Sequence, residues 1–118
     1  MSEDGGTRMK ARLRSDLRTA MKSRRRVETA LIRELVAALD NAEAIPGAGE
    51  QSSRVAHEFR KGSAEADRLT LNNDQVRDLV LAEIQKREQA ATELERLGEV
   101  QRAQALRTEA LVARRYVE

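Results

Sequence analysis

Among 118 residues there is no cysteine, no tryptophan, one proline, one histidine, and one each of phenylalanine and tyrosine. Each scarcity excludes something. Without cysteine there is no disulfide, no thiolate metal site and no cysteine nucleophile. His57 alone cannot build a zinc site without other strong ligands and reads as a solvated loop residue. Phe59 and Tyr116 are too few to make the stacking platforms that read unpaired bases. Gly47 and Gly49 are followed by no Lys-Ser/Thr pair, so no phosphate-cradling glycine loop is present. A β-rich fold would need more aromatic and turn residues than this. No apolar run approaches membrane-spanning length, and Met1–Arg8 lacks the apolar stretch of a signal peptide. The expectation is a cytoplasmic protein with no membrane partner, no metal and no cofactor.

The abundant residue types are helix formers. Hydrophobic residues make up 40% and charged residues 36% of the chain, too apolar for disorder and more charged than an average globular domain. Long helices with one buried stripe and one solvated face give this balance. Residues 1–6 read as a disordered tail, and 7–118 as one helical domain. Met9, Leu13, Leu17, Ala20 and Met21 recur at steps that place them on one face of a first helix over about 9–23. A second, over about 25–43, carries Val27, Ala30, Leu31, Leu35, Ala38, Leu39 and Ala42. Residues 44–71 break the pattern with Pro46, three glycines and several serines, and read as a long mobile connection in which 53–61 could form a short helix.

The third helix has the clearest start signal. Asn72 and Gln75 have the spacing of a capping box, and Leu71 with Val76 that of a hydrophobic staple. Its stripe is Val76, Leu79, Val80, Ile84, Ala91 and Leu94, and Gly98 sits where a helix end favours a left-handed residue. A fourth helix, over about 99–117, carries Val100, Ala103, Leu106, Ala110, Ala113 and Val117. Short connections join the first helix to the second and the third to the fourth. The predicted fold is therefore all-α: two antiparallel helical hairpins forming an elongated bundle.

The net charge of +2 hides an asymmetry. Residues 1–26 hold nine basic and three acidic side chains, giving +6, so the remainder is −4. Lys10, Arg14 and Arg18 lie four apart and read as one solvated stripe on the first helix. With Lys22, the run Arg24, Arg25, Arg26 falls at the junction of the first two helices. Cations there suit the end of one helix but oppose the dipole at the start of the next. The run admits two readings: a solvated face with helix-end cations, or an anion site where backbone N–H groups and arginines converge on a phosphate.

Four ordered segments resemble the YqeY-like proteins. Asp16-Leu17-Arg18-Thr19-Ala20-Met21-Lys22 is similar to that family's D-L-x-x-A-M-K segment. The stretch from Leu31 to Glu43 resembles its L-x-R-x-L-x-A-A-x-x-N-A-E segment. Glu83-Ile84-Gln85-Lys86-Arg87-Glu88 looks like E-I-x-K-R-x, and Leu97-Gly98, Arg102-Ala103 and 109–116 are similar to the closing helix. The family shares its fold with the C-terminal region of the B subunit of the glutamine-dependent tRNA amidotransferase, where a helical part and a small tail domain help to hold tRNA. The resemblance implies a helical module that binds tRNA or an amidotransferase-type complex, without amidotransferase chemistry. Family members usually continue past the tyrosine with Leu-Pro and the tail domain. This sequence ends at Tyr116-Val117-Glu118, so the expectation is the helical part alone. The connection at 44–71 also exceeds the family's usual length.

Among the family-matching residues, Arg33 lies off its helix's apolar stripe, where it would pair with an acid on the third or fourth helix; with Asn41 it reads as structural. Glu83 and Arg87 are spaced i, i+4 in the favourable order, the pattern of a helix-surface pair, beside Lys86 and Glu88. No nucleophile accompanies them, so no catalytic residue is assigned. The expected function is a non-catalytic tRNA-binding module using Arg14, Arg18, Lys22, Arg24, Arg25 and Arg26. The alternative is a protein-protein or self-association module that uses its Leu/Ala surface. Either way, the isolated protein is expected to release no ammonia from glutamine above a buffer blank. Release abolished by a point substitution in this chain would contradict that.

Overall fold

Apolar side chains at steps of three and four need a partner surface, and four such stripes pair here without a sheet. The computed structural model describes residues 4–44 and 69–118. Its four helices are α1 (Gly5–Lys22), α2 (Arg26–Ala42), α3 (Asn73–Arg96) and α4 (Val100–Arg114). Among the described residues 81% are helical and none is in a strand. α1 packs antiparallel to α2 and α3 to α4, and the two hairpins pack on each other to give a body of 49 × 36 × 26 Å.

The core follows the stripes, with exceptions. Leu13 and Ala20 of α1, Leu31, Leu35 and Leu39 of α2, Val76, Val80 and Ile84 of α3, and Ala110 and Ala113 of α4 are buried together. Ile32 joins them, although it lies off the expected α2 stripe, because α2 is covered on two sides. Met21 and Val100 lie on expected stripes but are exposed, 50% and 62%, since each sits at a hairpin end beyond the partner helices. Ala30 is exposed as well.

α3 begins as its sequence predicts. Asn72 accepts from the Gln75 N–H at 2.8 Å, and the Gln75 side chain accepts from the Asn72 N–H at 2.9 Å, closing the capping box. Leu71 and Val76 are both buried and complete the staple.

The expected tail over 1–6 is corrected in its second half. Residues 1–3 lie outside the described residues, but α1 already starts at Gly5 with Asp4 as its N-cap, accepting from the Thr7 N–H at 2.8 Å. That hydrogen bond, chiefly, holds the Asp4 carboxyl below its ordinary value. Gly5 and Gly6 are buried because the start of α1 abuts the start of α3, and Gly6 donates to the Leu71 carbonyl at 3.0 Å. The expected connection over 44–71 is likewise shortened at its far end. Leu69 donates to the Glu43 carbonyl at 3.0 Å, and Leu71 is already core. Residues 45–68, with His57, Phe59 and the short helix expected over 53–61, lie outside the described residues.

Both hairpins turn through the same hydrogen-bond pattern. After α3, Gly98 donates to the Glu95 carbonyl at 3.0 Å and Glu99 to the Leu94 carbonyl at 2.8 Å, with Gly98 at φ +83°. After α1, Arg24 donates to Met21 at 3.2 Å and Arg25 to Ala20 at 2.9 Å, with Arg24 at φ +58°. Each is a Schellman motif, whose pivotal residue adopts the left-handed region.

A Cβ at Gly5 would lie 2.7 Å from Asn73 Oδ1 and 2.8 Å from the Asn72–Asn73 backbone, which cannot move aside without opening the helix seam. Gly5→Ala is therefore expected to cost about 2 kcal/mol, as overpacking does. Asn72→Ala, which removes one cap, should cost about 1 kcal/mol. Urea midpoints ranking Gly5→Ala below Asn72→Ala, and both below wild type, would bear this out; an unchanged midpoint for Gly5→Ala would refute the close seam.

Candidate nucleic-acid interface

The basic residues singled out from the sequence divide by location. Lys10 does not belong to a solvated stripe. Its ammonium lies 2.5 Å from Glu43 Oε1 and 3.0 Å from Asp40 Oδ1, half-buried between α1 and the end of α2. The hydrogen bond to Glu43 is the main reason its pKa is raised above the usual lysine value. Arg14 and Arg18 are exposed, as expected.

Arg24, Arg25, Arg26 and Arg33 converge on one groove of about 550 Å³ at the α1–α2 corner, around Met21, Thr29 and Ala30, with no carboxylate in its lining. At 100° per residue, Arg14 lies about 20° and Arg18 about 60° round α1 from Met21, so both continue the groove's rim. Arg14, Arg18 and Lys22 rise about 6 Å apart along the helix. Among the described residues, only Arg25 of these seven cations has a carboxylate within 4.0 Å, Glu28 Oε1 at 3.7 Å. α2 starts with Arg25 as N-cap and no side-chain cap, so its leading N–H groups are open beside the guanidinium groups. Glu28 in the first turn of α2 favours the dipole there, but it pairs with Arg115 Nη1 at 3.3 Å and does not line the groove.

Arg33 is placed differently from its expectation. It reaches no acid on α3 or α4; its Nη2 donates to Met21 Sδ at 3.7 Å, across the groove floor. The partner of the facing hairpin is its neighbour Glu34. Asn41 is exposed in the last turn of α2, where its carbonyl accepts from the Ala44 N–H at 3.2 Å.

The Glu83–Arg87 pair forms at 2.8 Å, but it is not a surface pair. Arg87 is 5% exposed and uses all three guanidinium nitrogens. Nε donates to Glu109 of α4 at 2.8 Å, Nη1 to the Glu83 carboxylate and at 3.0 Å to its carbonyl, and Nη2 to Glu34 of α2. Lys86 remains exposed, 3.3 Å from Glu83. Burial would raise the Glu83 carboxyl, but hydrogen bonds from Arg87 and Lys86 outweigh it and hold it below the usual value. Burial also works against the Arg87 charge, and its carboxylate partners outweigh that in turn. The i, i+4 spacing reveals one of the three acids; the other two come from separate helices and leave no local mark in the sequence.

A second seam joins the hairpins at the opposite end. Tyr116 donates to Asp16 Oδ2 at 2.6 Å, while Arg12 lies over its ring, 4.6 Å from the centroid, and donates to the Arg115 carbonyl at 3.1 Å. Burial, and then the Asp16 carboxylate, push the Tyr116 hydroxyl well above its ordinary value. Arg8 donates to Asn73 Oδ1 at 2.6 Å, and Arg77 to the Val117 carbonyl, so these arginines serve as helix ties.

Among the described residues no group of three His, Cys, Asp or Glu side chains could hold a metal ion, and no helix is long and apolar enough to cross a membrane. Comparison with protein-family models, curated proteins and solved structures gives no match for this chain.

Arg87→Ala would leave three carboxylates facing one another without their cation. A loss of about 3 kcal/mol is expected, the scale for breaking a buried ion pair. Glu83 adds a pH dependence: its pKa is lowered in the fold, so its stabilisation is full above the unfolded value of 4.5 and falls away as pH drops through the folded one. Urea midpoints at pH 7 and pH 3.5 should differ strongly in wild type and less in Arg87→Ala. An equal acid sensitivity in both would show that the network carries no such term.

Proposed function

We propose that this chain is a non-catalytic helical module that binds tRNA, or a tRNA-handling complex of the amidotransferase type, through the exposed basic face of α1 and α2. The observation that carries this reading is the surface of Arg14, Arg18, Lys22, Arg24, Arg25, Arg26 and Arg33, of which only Arg25 has a carboxylate partner among the described residues. Lys10, Arg87, Arg107, Arg114 and Arg115 are each matched to an acid. Clustered like charges without counter-ions repel one another and weaken the fold, a cost that an anionic ligand offsets. The resemblance to the YqeY-like proteins supplies the nature of the polyanion. With no aromatic side chain in the groove lining, the ligand is held by its phosphates and shape, not base by base. Glu34, Glu83 and Glu109 are committed to Arg87, which supports a binding role over acid-base chemistry.

A second reading draws on the exposed apolar residues of the other hairpin, Leu97 at 68%, Val100 at 62% and Leu111 at 67%. Under it the chain associates with itself or with another protein through α3 and α4 and has no nucleic-acid role. Salt separates the two, because phosphate contacts weaken steeply as salt rises and apolar contacts do not.

Filter binding of the pure protein to tRNA at two salt concentrations tests both. The quadruple variant Arg18→Ala, Lys22→Ala, Arg24→Ala, Arg25→Ala should lose most binding and keep its helical circular dichroism, since all four are exposed. The salt slope should fall by about one unit for every phosphate that is no longer held. No binding by wild type even at low salt would end the RNA reading. Equal binding by the variant would move the interface elsewhere.

A further inference from the structure

We infer that Arg24 is the residue that anchors a phosphate at the α1–α2 corner, and that the chain carries a left-handed arginine there to set its guanidinium in the groove. The inference rests on the polyanion reading above and deepens it by assigning one contact. Its basis is a comparison within the molecule. The turns after α1 and after α3 close with the same two hydrogen bonds, yet the left-handed position holds Gly98 in one and Arg24 in the other. At φ +58° the Cβ of Arg24 crowds its own backbone, whereas glycine is free of that strain. Turn closure alone therefore favours glycine at both places.

Among the described residues, nothing offsets the strain at Arg24. The residue is exposed, and its side chain has no ion pair or hydrogen bond there. It adds a like charge beside Arg25, Arg26 and Arg33, which raises the cost further. What the position gains is a planar fork of N–H donors next to the open N–H groups at the start of α2. A guanidinium meets a phosphate through two parallel hydrogen bonds, which neither glycine nor lysine can reproduce.

Two single variants of the full chain separate strain from charge. Arg24→Gly removes both, and Arg24→Gln removes the charge but keeps the Cβ. Thermal melts and tRNA filter binding at two salt concentrations are measured for each. Arg24→Gly should raise the melting midpoint by about 3 °C, the relief of strain exceeding the freedom glycine adds to the unfolded chain. Arg24→Gln should gain clearly less. Both should bind tRNA about tenfold more weakly, the scale of one charge-assisted contact, with a salt slope lower by about one unit. A residue needed only for the turn would alter the melt and leave the slope in place. Wild-type-like binding by both variants overturns the assignment while leaving the polyanion reading standing. Equal melting gains in the two variants overturn the strain on which it rests. If wild type binds no tRNA at low salt, the assignment falls together with the polyanion reading.

Discussion

A guanidinium buried at the meeting point of three helices must have its donors matched, and Arg87 meets that demand with one carboxylate from each of α2, α3 and α4. The requirement is severe because unpaired charge in a low-dielectric setting is far more costly than a missing apolar neighbour. Turning α2 or α4 by one residue, about 100°, would withdraw a carboxylate, and turning α3 would carry the cation away from Glu34 and Glu109. The network thus fixes the rotation of α2 against the second hairpin. The apolar contacts alone fix it less well: α4 contributes only Ala103, Ala110 and Ala113 to the buried set, with Tyr116 just beyond its end, and alanine stripes slide at little cost.

The other inter-hairpin ties have the same character. Asp16 with Tyr116, Arg115 with Glu28, Arg8 with Asn73 and Arg12 with the Arg115 carbonyl are polar contacts at the margins of a small Leu, Ile and Val core. Directional contacts of this kind place the hairpins, and the aliphatic residues between them supply the apolar burial. They also consume charge. Glu28, Glu34 and Asp40 of α2, Glu83, Glu88 and Glu95 of α3, and Glu109 of α4 all face cations of the bundle, so none of these seven neutralises the outer face of α1.

The basic face follows from this sorting. The chain is nearly neutral as a whole, at +2, but among the described residues the fold pairs acids within and between helices and leaves seven cations of α1 and α2, four of them round one groove, with a single carboxylate partner. Their field is stronger than the net charge suggests, since like charges clustered on one face add before solvent can screen them. The uncapped start of α2 adds partial positive charge at the same place. A site of this kind suits a long flexible polyanion better than a small rigid ligand, because its donors are spread along two helices and not closed round a cavity.

The all-α class, the four helices to within a few residues, and the capping box at Asn72 and Gln75 were legible in the sequence, because they depend on residues three or four apart. Gly98 was likewise marked as a helix end. Local pattern failed where neighbours in space were distant in the chain. Asp4, Gly5 and Gly6 looked like a tail because only the start of α3, some 65 residues on, makes them a buried helix start. Lys10 and Arg87 carried the same signal as solvated residues, since charge patterning cannot tell a surface pair from a buried one whose other acids come from separate helices. The cluster Arg24–Arg26 was visible as composition, but the addition of Arg33 and the removal of Lys10 were decided by which helix faces met. So was the left-handed backbone at Arg24: a turn was readable there, whereas the choice of arginine as its pivot shows its strain only once the Schellman hydrogen bonds have closed.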